Sequence, residues 1–267
     1  MNKIRHIEFL AVFIQYQGME KLQIWSESCE VRFGAIDSSD LMTLDAVFDF
    51  FQEVAISHAE NLGVGREAMA NASQAWILSR MSVLVERRPK YGEIITVRTW
   101  PRSTEKLFAL RDYDIRDAND SVAVRARSCW LIIDMEKRRP LRPQAVVENL
   151  PQNEGMDSLP AVPGLEEKLT PQTDGLTYTE RKALYADLDY NRHVNNASYI
   201  RWIEDIVDIE LLEKAKQIRL DINYMNEVLP GELTGIWSSA IEKTTFAFEG
   251  KKLRDNQPAF RAELRLW

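Results

Sequence analysis

Asp187-Leu188-Asp189-Tyr190-Asn191-Arg192-His193-Val194-Asn195-Asn196, ten residues that continue into Ala197-Ser198-Tyr199-Ile200-Arg201-Trp202-Ile203-Glu204, gather among themselves two carboxylates, three side-chain amides and one of the chain's three histidines. Asn195 or Asn196 can cap a helix, because a side-chain oxygen accepts from the N–H groups that open it. Beyond the cap, Ala197, Ile200, Ile203, Val207 and Leu211 recur at steps of three and four, while Ser198, Arg201, Asp205 and Asp208 mark a wet face. The spacing predicts a helix over about 197–214. His193 then stands just outside a helix N-terminus, beside aligned N–H donors able to hold developing negative charge.

Working outward, the same order of elements occurs twice, and a repeat is the first thing a sequence should be searched for. In the first half Asp45 begins a helical run in which Val47, Phe50, Phe51, Val54, Ala55 and His58 share a face, and Gly63 stops it. Met81–Val85 follows as a strand, then Pro89-Lys90-Tyr91-Gly92-Glu93 and a second strand, Ile94–Val97. In the second half Ile218–Tyr224 alternates as a half-buried strand and is followed by Pro230-Gly231-Glu232 and Leu233–Trp237. Superposing the two Gly-Glu pairs sets Leu220 on Met81, Ile222 on Val83 and Glu227 on Arg88. Thr43 is expected at the position matching His193, with Leu41 near that of Asn191. Arg111–Ile115 and Ala123–Asp134 read as two more strands about an Asn119-Asp120 turn. Six of the ten prolines lie between Pro140 and Pro171, with Gly155 and Gly164 among them, which marks a linker. A long helix laid on an antiparallel sheet, twice over, is α+β and not alternating βαβ.

The 267 residues suffice for two domains, and 45% apolar with 28% charged residues is an ordinary globular composition. A net charge of -7 argues against nucleic acid as a partner, so an acidic partner must be met by a local basic patch. Cys29 and Cys129 form no disulfide framework and have no second ligand at metal spacing; no metal or cofactor is expected, and a reducing cytoplasm is. Residues 1–18 faintly imitate a signal peptide, but Glu8 interrupts the apolar run and no cleavage site follows, so they read as an extension with Met19 a candidate first residue. No apolar run is long enough to span a membrane.

The pattern Asp-x-Asn-x-His-Val-Asn-Asn-x-x-Tyr-x-x-Trp resembles the signature of acyl-acyl carrier protein (acyl-ACP) thioesterases. The resemblance extends to Gln52-Glu53 and His58-Ala59, to Ala126-x-Ser128-x-Trp130, to Arg138-Arg139 and to Glu227, over about residues 26–267. It implies a tandem, or double, hot-dog fold, each unit a long helix wrapped by a curved antiparallel sheet. The expected division is an extension over 1–25, an acyl-binding unit over 26–140, a Pro-rich linker over 141–175 and a catalytic unit over 176–267. The implied activity is release of free fatty acid from acyl-ACP by an activated water.

Hydrolysis of a thioester needs a group that titrates near neutrality, and His193 supplies it. Asp189 and Asn191 lie close enough in the loop to orient the ring or the water. Local sequence alone reads Glu227 as a solvated loop carboxylate; the resemblance implies that it helps Asp189, Asn191 and His193 activate water. A cysteine follows that glutamate in plant members, whereas Val228 stands here, so a cysteine nucleophile is not carried over. His58 reads first as a satisfied core histidine and second as a tunnel residue. Because the resemblance puts the acyl chain in the first half, Phe50, Phe51, Val54 and His58, with Asn195 and Asn196, are the expected substrate-binding residues. The partner implied is acyl carrier protein, met by Arg87, Arg88 and Lys90 or by Arg138, Arg139 and Arg142; the assembly is expected to be a monomer or homodimer. Two rival readings are a hydrolase of acyl-CoA thioesters and a non-catalytic acyl-binding hot-dog protein.

Overall fold

The computed structural model describes residues 20–147, 150–151, 153, 168–171 and 176–267. Most of the expected N-terminal extension, Met19 included, lies outside these residues, as do Pro160, Pro163, Gly155 and Gly164 of the linker.

In the first half β1 (Trp25–Glu30) leads to the helix α1 (Leu44–Asn61), the short α2 (Arg66–Asn71), and β2 (Gln74–Val85), β3 (Ile94–Glu105), β4 (Phe108–Asp117) and β5 (Val122–Asp134). A short β6 (Arg139–Leu141) pairs with β5. In the second half β7 (Thr177–Lys182) leads to α3 (Asn196–Glu204), α4 (Ile209–Lys214), and β8 (Ile218–Tyr224), β9 (Leu233–Glu242), β10 (Thr245–Lys252) and β11 (Pro258–Leu266). The strands form one sheet in the order β1-β3-β4-β5-β2-β8-β11-β10-β9-β7. All the pairings are antiparallel, and the second five strands repeat the first five in reverse, so the halves are related by a pseudo-two-fold through the β2–β8 seam.

Ser82 and Asp221 mark that axis. They face each other across the seam, the Ser82 hydroxyl donates to the Asp221 carboxylate, and the superposition of the Gly-Glu pairs makes them equivalent. Arg219 Nε donates to the same carboxylate at 2.8 Å, so the charge beneath the sheet is paired. The apolar residues of these strands, Met81, Val83, Leu220 and Ile222, are buried in the single large core with α1 and α3. Described linker residues cross the opposite face, where the Leu169 N–H donates to Asn223 Oδ1 at 2.9 Å and Arg261 Nη1 donates to the Leu169 carbonyl at 3.2 Å.

α1 has the expected start and stop: Thr43 caps it by accepting from the Ala46 N–H, Asp45 complements the helix dipole, and Gly63 follows at φ 75°. The second helix is shorter than expected. It ends at Glu204, and Asp208, at φ -56° and ψ 128°, restarts the chain as α4 by accepting from the Glu210 N–H at 2.8 Å. Carboxylates at 204, 205 and 208 oppose the negative end of a continuing helix, and aspartate favours a cap over a helix interior, so the apolar periodicity does not carry through. The strands run longer than their apolar cores suggest, β2 extending back to Gln74 past an irregularity between Leu78 and Arg80. A long helix packed beside its counterpart against an antiparallel sheet makes this a tandem α+β hot-dog.

Candidate active site

The loop before α3 is built by Asp189. Its Oδ1 accepts from the Asn191 N–H at 2.8 Å and the His193 N–H at 3.1 Å, while its own N–H donates to the His193 carbonyl at 2.9 Å. Arg192 sits at φ 64° to close this tight turn. A bridge between Leu188 and Val194 shuts the loop, and the Val194 N–H donates to the Val228 carbonyl at 2.9 Å. That last bond carries Glu227 to the histidine. His193 Nδ1 lies 3.4 Å from Glu227 Oε2, with the side chains 35% and 62% exposed, so solvent reaches the pair. Asn191 Nδ2 approaches Asp189 Oδ2 at 3.4 Å.

Asn195 is the cap of α3, its side-chain oxygen accepting from the Ala197 N–H at 3.2 Å. Asn196 is the first residue of the helix, and its carbonyl accepts from Tyr224 Oη at 3.2 Å. Behind it is a cavity of about 20 Å³. Phe48, Phe51, Leu78, Met81, Tyr113 and Trp130 wall it from the first half, with Gln52, while Asn196 and Ala197 close it from the second. The far end is tied together by Tyr113 and Trp130, whose Oη and Nε1 lie 3.0 and 2.7 Å from Ser128 Oγ.

Of the residues expected to bind substrate, Phe51 and Asn196 line this cavity. Val54 is in the core, and Phe50 packs against it from a partly buried position. His58 is fully buried and occupied at both nitrogens: Nε2–H donates to the Leu22 carbonyl at 2.9 Å and Nδ1 accepts from Arg111 Nη1 at 3.1 Å. Burial, with the Arg111 charge adding, lowers its pKa to about 4, so the ring is neutral. It also stacks on Trp25, with centroids 6.1 Å apart.

The first half contains the same loop with other residues in it. Ile36 bridges Met42 as Leu188 bridges Val194, Asp37 Oδ1 accepts from the Ser39 and Leu41 N–H groups, and Asp40 sits at φ 64°. This corrects the expected correspondence: Leu41 matches His193, Ser39 matches Asn191, and Thr43 matches Asn195, both of the latter pair being helix caps. The counterpart of Glu227 is Arg88, a buried side chain bound to the Asp37 carboxylate and to the carbonyls of Met42, Leu41 and Leu212. Arg88 is therefore unavailable to an outside partner. Arg87 is tied to Glu93 at 2.7 Å and to Asp117 at 3.4 Å. Of the two basic clusters, Arg138, Arg139 and Arg142 are exposed and carry no ion pair among the described residues.

Gln52 also lines the cavity, although as a polar residue it is not part of the apolar face expected for this helix. Its signal is its place four residues after Phe48 and next to Phe51, which sets all three on neighbouring stripes of α1. The cysteines lie elsewhere: both are free, Cys129 is buried, and desolvation raises its thiol to about 11. No helix among the described residues is long and apolar enough to cross a membrane.

The fold is shared with an acyl-ACP thioesterase from Bacteroides thetaiotaomicron, at TM-score 0.81 and 22% identity over 92% of this chain and 98% of that one. It is shared also with the 12:0-ACP thioesterase from Umbellularia californica, at TM-score 0.77 and 21% identity over 94% and 99%. Among curated proteins, the chloroplastic palmitoyl-acyl carrier protein thioesterase of Cuphea hookeriana is 27% identical over 214 residues, 76% of this chain and 52% of the relative. Oleoyl-acyl carrier protein thioesterase 1 of Arabidopsis thaliana is 26% identical over 222 residues, 76% of this chain and 60% of the relative. The chain spans about half the length of the curated relatives it matches. Residues 23–150 match the family described as Acyl-ACP thioesterase N-terminal domain, and residues 171–262 match Acyl-ACP thioesterase C-terminal domain. With both domains matched in order and the His193 loop falling inside the second, the chain belongs to the acyl-ACP thioesterase family.

Proposed function

We propose that this protein hydrolyses the thioester of acyl-ACP, releasing free fatty acid and the carrier thiol and so ending chain growth. The observation that carries the reading is the His193–Glu227 pair, 3.4 Å apart beside the helix end where Asn196 and Ala197 border an apolar cavity. A water between the pair and the carbonyl carbon loses its proton to His193 as its oxygen attacks, and Glu227 stabilises the imidazolium that forms. The tetrahedral adduct collapses with cleavage of the carbon–sulfur bond, and His193 returns the proton to the thiolate. Asp189 acts through the loop, by holding the backbone of residues 191 and 193, and Asn191 braces its second oxygen. The first unit, residues 26–140, takes the acyl chain between α1 and the sheet, and the second, 176–267, supplies the chemistry. The closed cavity must open by side-chain movement to admit a chain. With two free thiols and the two units already paired within one chain, the protein acts in the cytoplasm as a monomer or homodimer.

The test is a panel of acyl-ACP substrates of graded chain length, with released acid and thiol both measured, beside the matching CoA thioesters. His193→Ala and Glu227→Gln should each lower kcat by about 10²–10⁴-fold while the fold persists. Absence of turnover on the whole carrier-bound panel, a preference for CoA thioesters, or a His193→Ala variant with near-normal kcat would each refute the reading.

A further inference from the structure

The pseudo-two-fold gives the N-terminus of each long helix a counterpart in the same molecule, and the two ends are finished differently. The matching bridges and caps set Leu44 on Asn196 and Asp45 on Ala197, and the same register along the helices sets Gln52 on Glu204. At the start of α1, the Leu44 N–H donates to Glu204 Oε1 at 2.8 Å and the Asp45 N–H donates to Oε2 at 3.2 Å. Glu204 reaches across from α3, so a carboxyl group of one helix seals the other. At the start of α3 the equivalent position on α1 is Gln52, and that seal is missing. The Asn196 N–H and the Gln52 side chain have no hydrogen-bond partner among the described residues, and both residues border the cavity, Asn196 three residues after His193. The Ala197 N–H is taken locally by the Asn195 cap.

We propose that Gln52 is a catalytic residue whose amide Nε2–H, with the backbone N–H of Asn196, binds the thioester carbonyl oxygen where Glu204 places its carboxyl oxygens at the sealed end. The assignment rests on the thioester-hydrolase reading of the site. Chemistry distinguishes the two side chains. A carboxylate at the open end would itself occupy the N–H donor and repel the charge that a thioester carbonyl acquires on attack, whereas an amide of the same length donates to it. The two donors come from different helices locked side by side in the core, so they are fixed before the reaction, which is the condition under which such donors stabilise a transition state. As the water oxygen bonds to the carbonyl carbon, the carbonyl π pair moves onto the oxygen held between Gln52 and Asn196. It returns when the carbon–sulfur bond breaks and His193 protonates the thiolate. The apolar wall of Phe48 and Phe51 beside Gln52 keeps competing water away from that oxygen.

The experiment compares wild type, Gln52→Ala, Gln52→Met and Gln52→Glu on acyl-ACP, with two unreactive analogues as further readouts. One carries a trifluoromethyl ketone in place of the thioester, which binds as a charged tetrahedral adduct; the other carries an amide, which stays planar. Gln52→Ala and the volume-matched Gln52→Met should lower kcat by about 10²–10³-fold with KM near the wild-type value. Both should lose affinity for the trifluoromethyl ketone by a comparable factor and keep it for the amide. Gln52→Glu, which copies the sealed end, should be as inactive or more so, while Glu204→Gln keeps its kcat. A wild-type kcat in Gln52→Met, or equal losses for the two analogues, would overturn the assignment and leave Gln52 a wall of the pocket. A wild type inactive on every acyl-ACP would overturn the hydrolase reading and this assignment with it.

Discussion

Arg88→Gln tests whether the first-half counterpart of the candidate site has become a structural brace. The Arg88 side chain is 6% exposed and is held from four directions. Nε donates to the Met42 carbonyl at 2.8 Å, Nη1 to the Leu212 carbonyl at 3.3 Å and Nη2 to the Leu41 carbonyl at 3.2 Å, and Nη2 also binds the Asp37 carboxylate. Glutamine is shorter, brings no charge and can keep at most a fraction of these bonds, so a carboxylate and carbonyls from separate segments lose their partner. Removing one member of a buried ion pair costs about 3–5 kcal/mol. Asp37 keeps some solvent contact and two N–H donors, from Ser39 at 2.9 Å and Leu41 at 3.3 Å, which places the loss at the lower end, about 3 kcal/mol. At about 2–4 °C per kcal/mol for a chain of this size, the melting temperature should fall by about 6–12 °C. Thermal unfolding followed by circular dichroism reads the loss, guanidinium unfolding checks it, and turnover at a temperature where the variant is folded should match wild type because His193 lies at the other end of the pseudo-two-fold. A melting temperature unchanged from wild type would refute the brace.

His58, neutral with its pKa lowered to about 4, leaves the unfolded chain binding the extra proton below about pH 6.5. Stability present above pH 6.5 should therefore decline by up to about 3 kcal/mol as pH falls to 4, and His58→Gln should flatten that slope in denaturant melts at graded pH; an unchanged slope would place its origin elsewhere. The double variant Cys29→Ser, Cys129→Ser should keep its kcat, since the Cys129 thiol is buried with its pKa raised to about 11, and mass spectrometry of enzyme quenched in turnover should find no acyl group on either cysteine. Reversing Arg138 and Arg139 to glutamate should raise KM for acyl-ACP and weaken its salt dependence with kcat retained; an unaltered KM would move carrier docking to another face.

Local signals carried the fold where one segment contains the whole cause. The Asp189 loop, the cap at Asn195, the stop at Gly63 and the Asn119-Asp120 turn each depend on neighbours in sequence, and the structure places all four as such. The break between α3 and α4 was hidden because Val207 and Leu211 continue the apolar stripe while Asp208 redirects the backbone. The correspondence of the two loops was misjudged for a related reason. α1 and α2 together are longer than α3 and α4, so the register of the Gly-Glu turns does not reach the loops before the helices, and their true pairing shows only in the matching bridges and caps. Arg88 and Gln52 were hardest to read, because each takes its meaning from a partner far along the chain: Leu212 for one, Asn196 for the other.

The asymmetry of the two ends follows from what fills them. The cavity walls Phe48 and Phe51 have as counterparts Ile200 and Ile203, both with no exposed surface. Close-packed aliphatic side chains thus stand at that end where the other has its cavity. The polar contacts agree: Arg201 Nε donates to Asp45 Oδ2 at 2.8 Å beside Glu204, whose carboxyl burial and the nearby Asp45 raise to about pKa 8. A vacant space at both ends would strip the helices of the contacts that fix one against the other, and the spacing of Gln52 from Asn196 depends on those contacts. Filling the Glu204 end with side chains holds α1 and α3 together, so that the His193 end can keep donors unpaired and a cavity between them without the helices sliding shut.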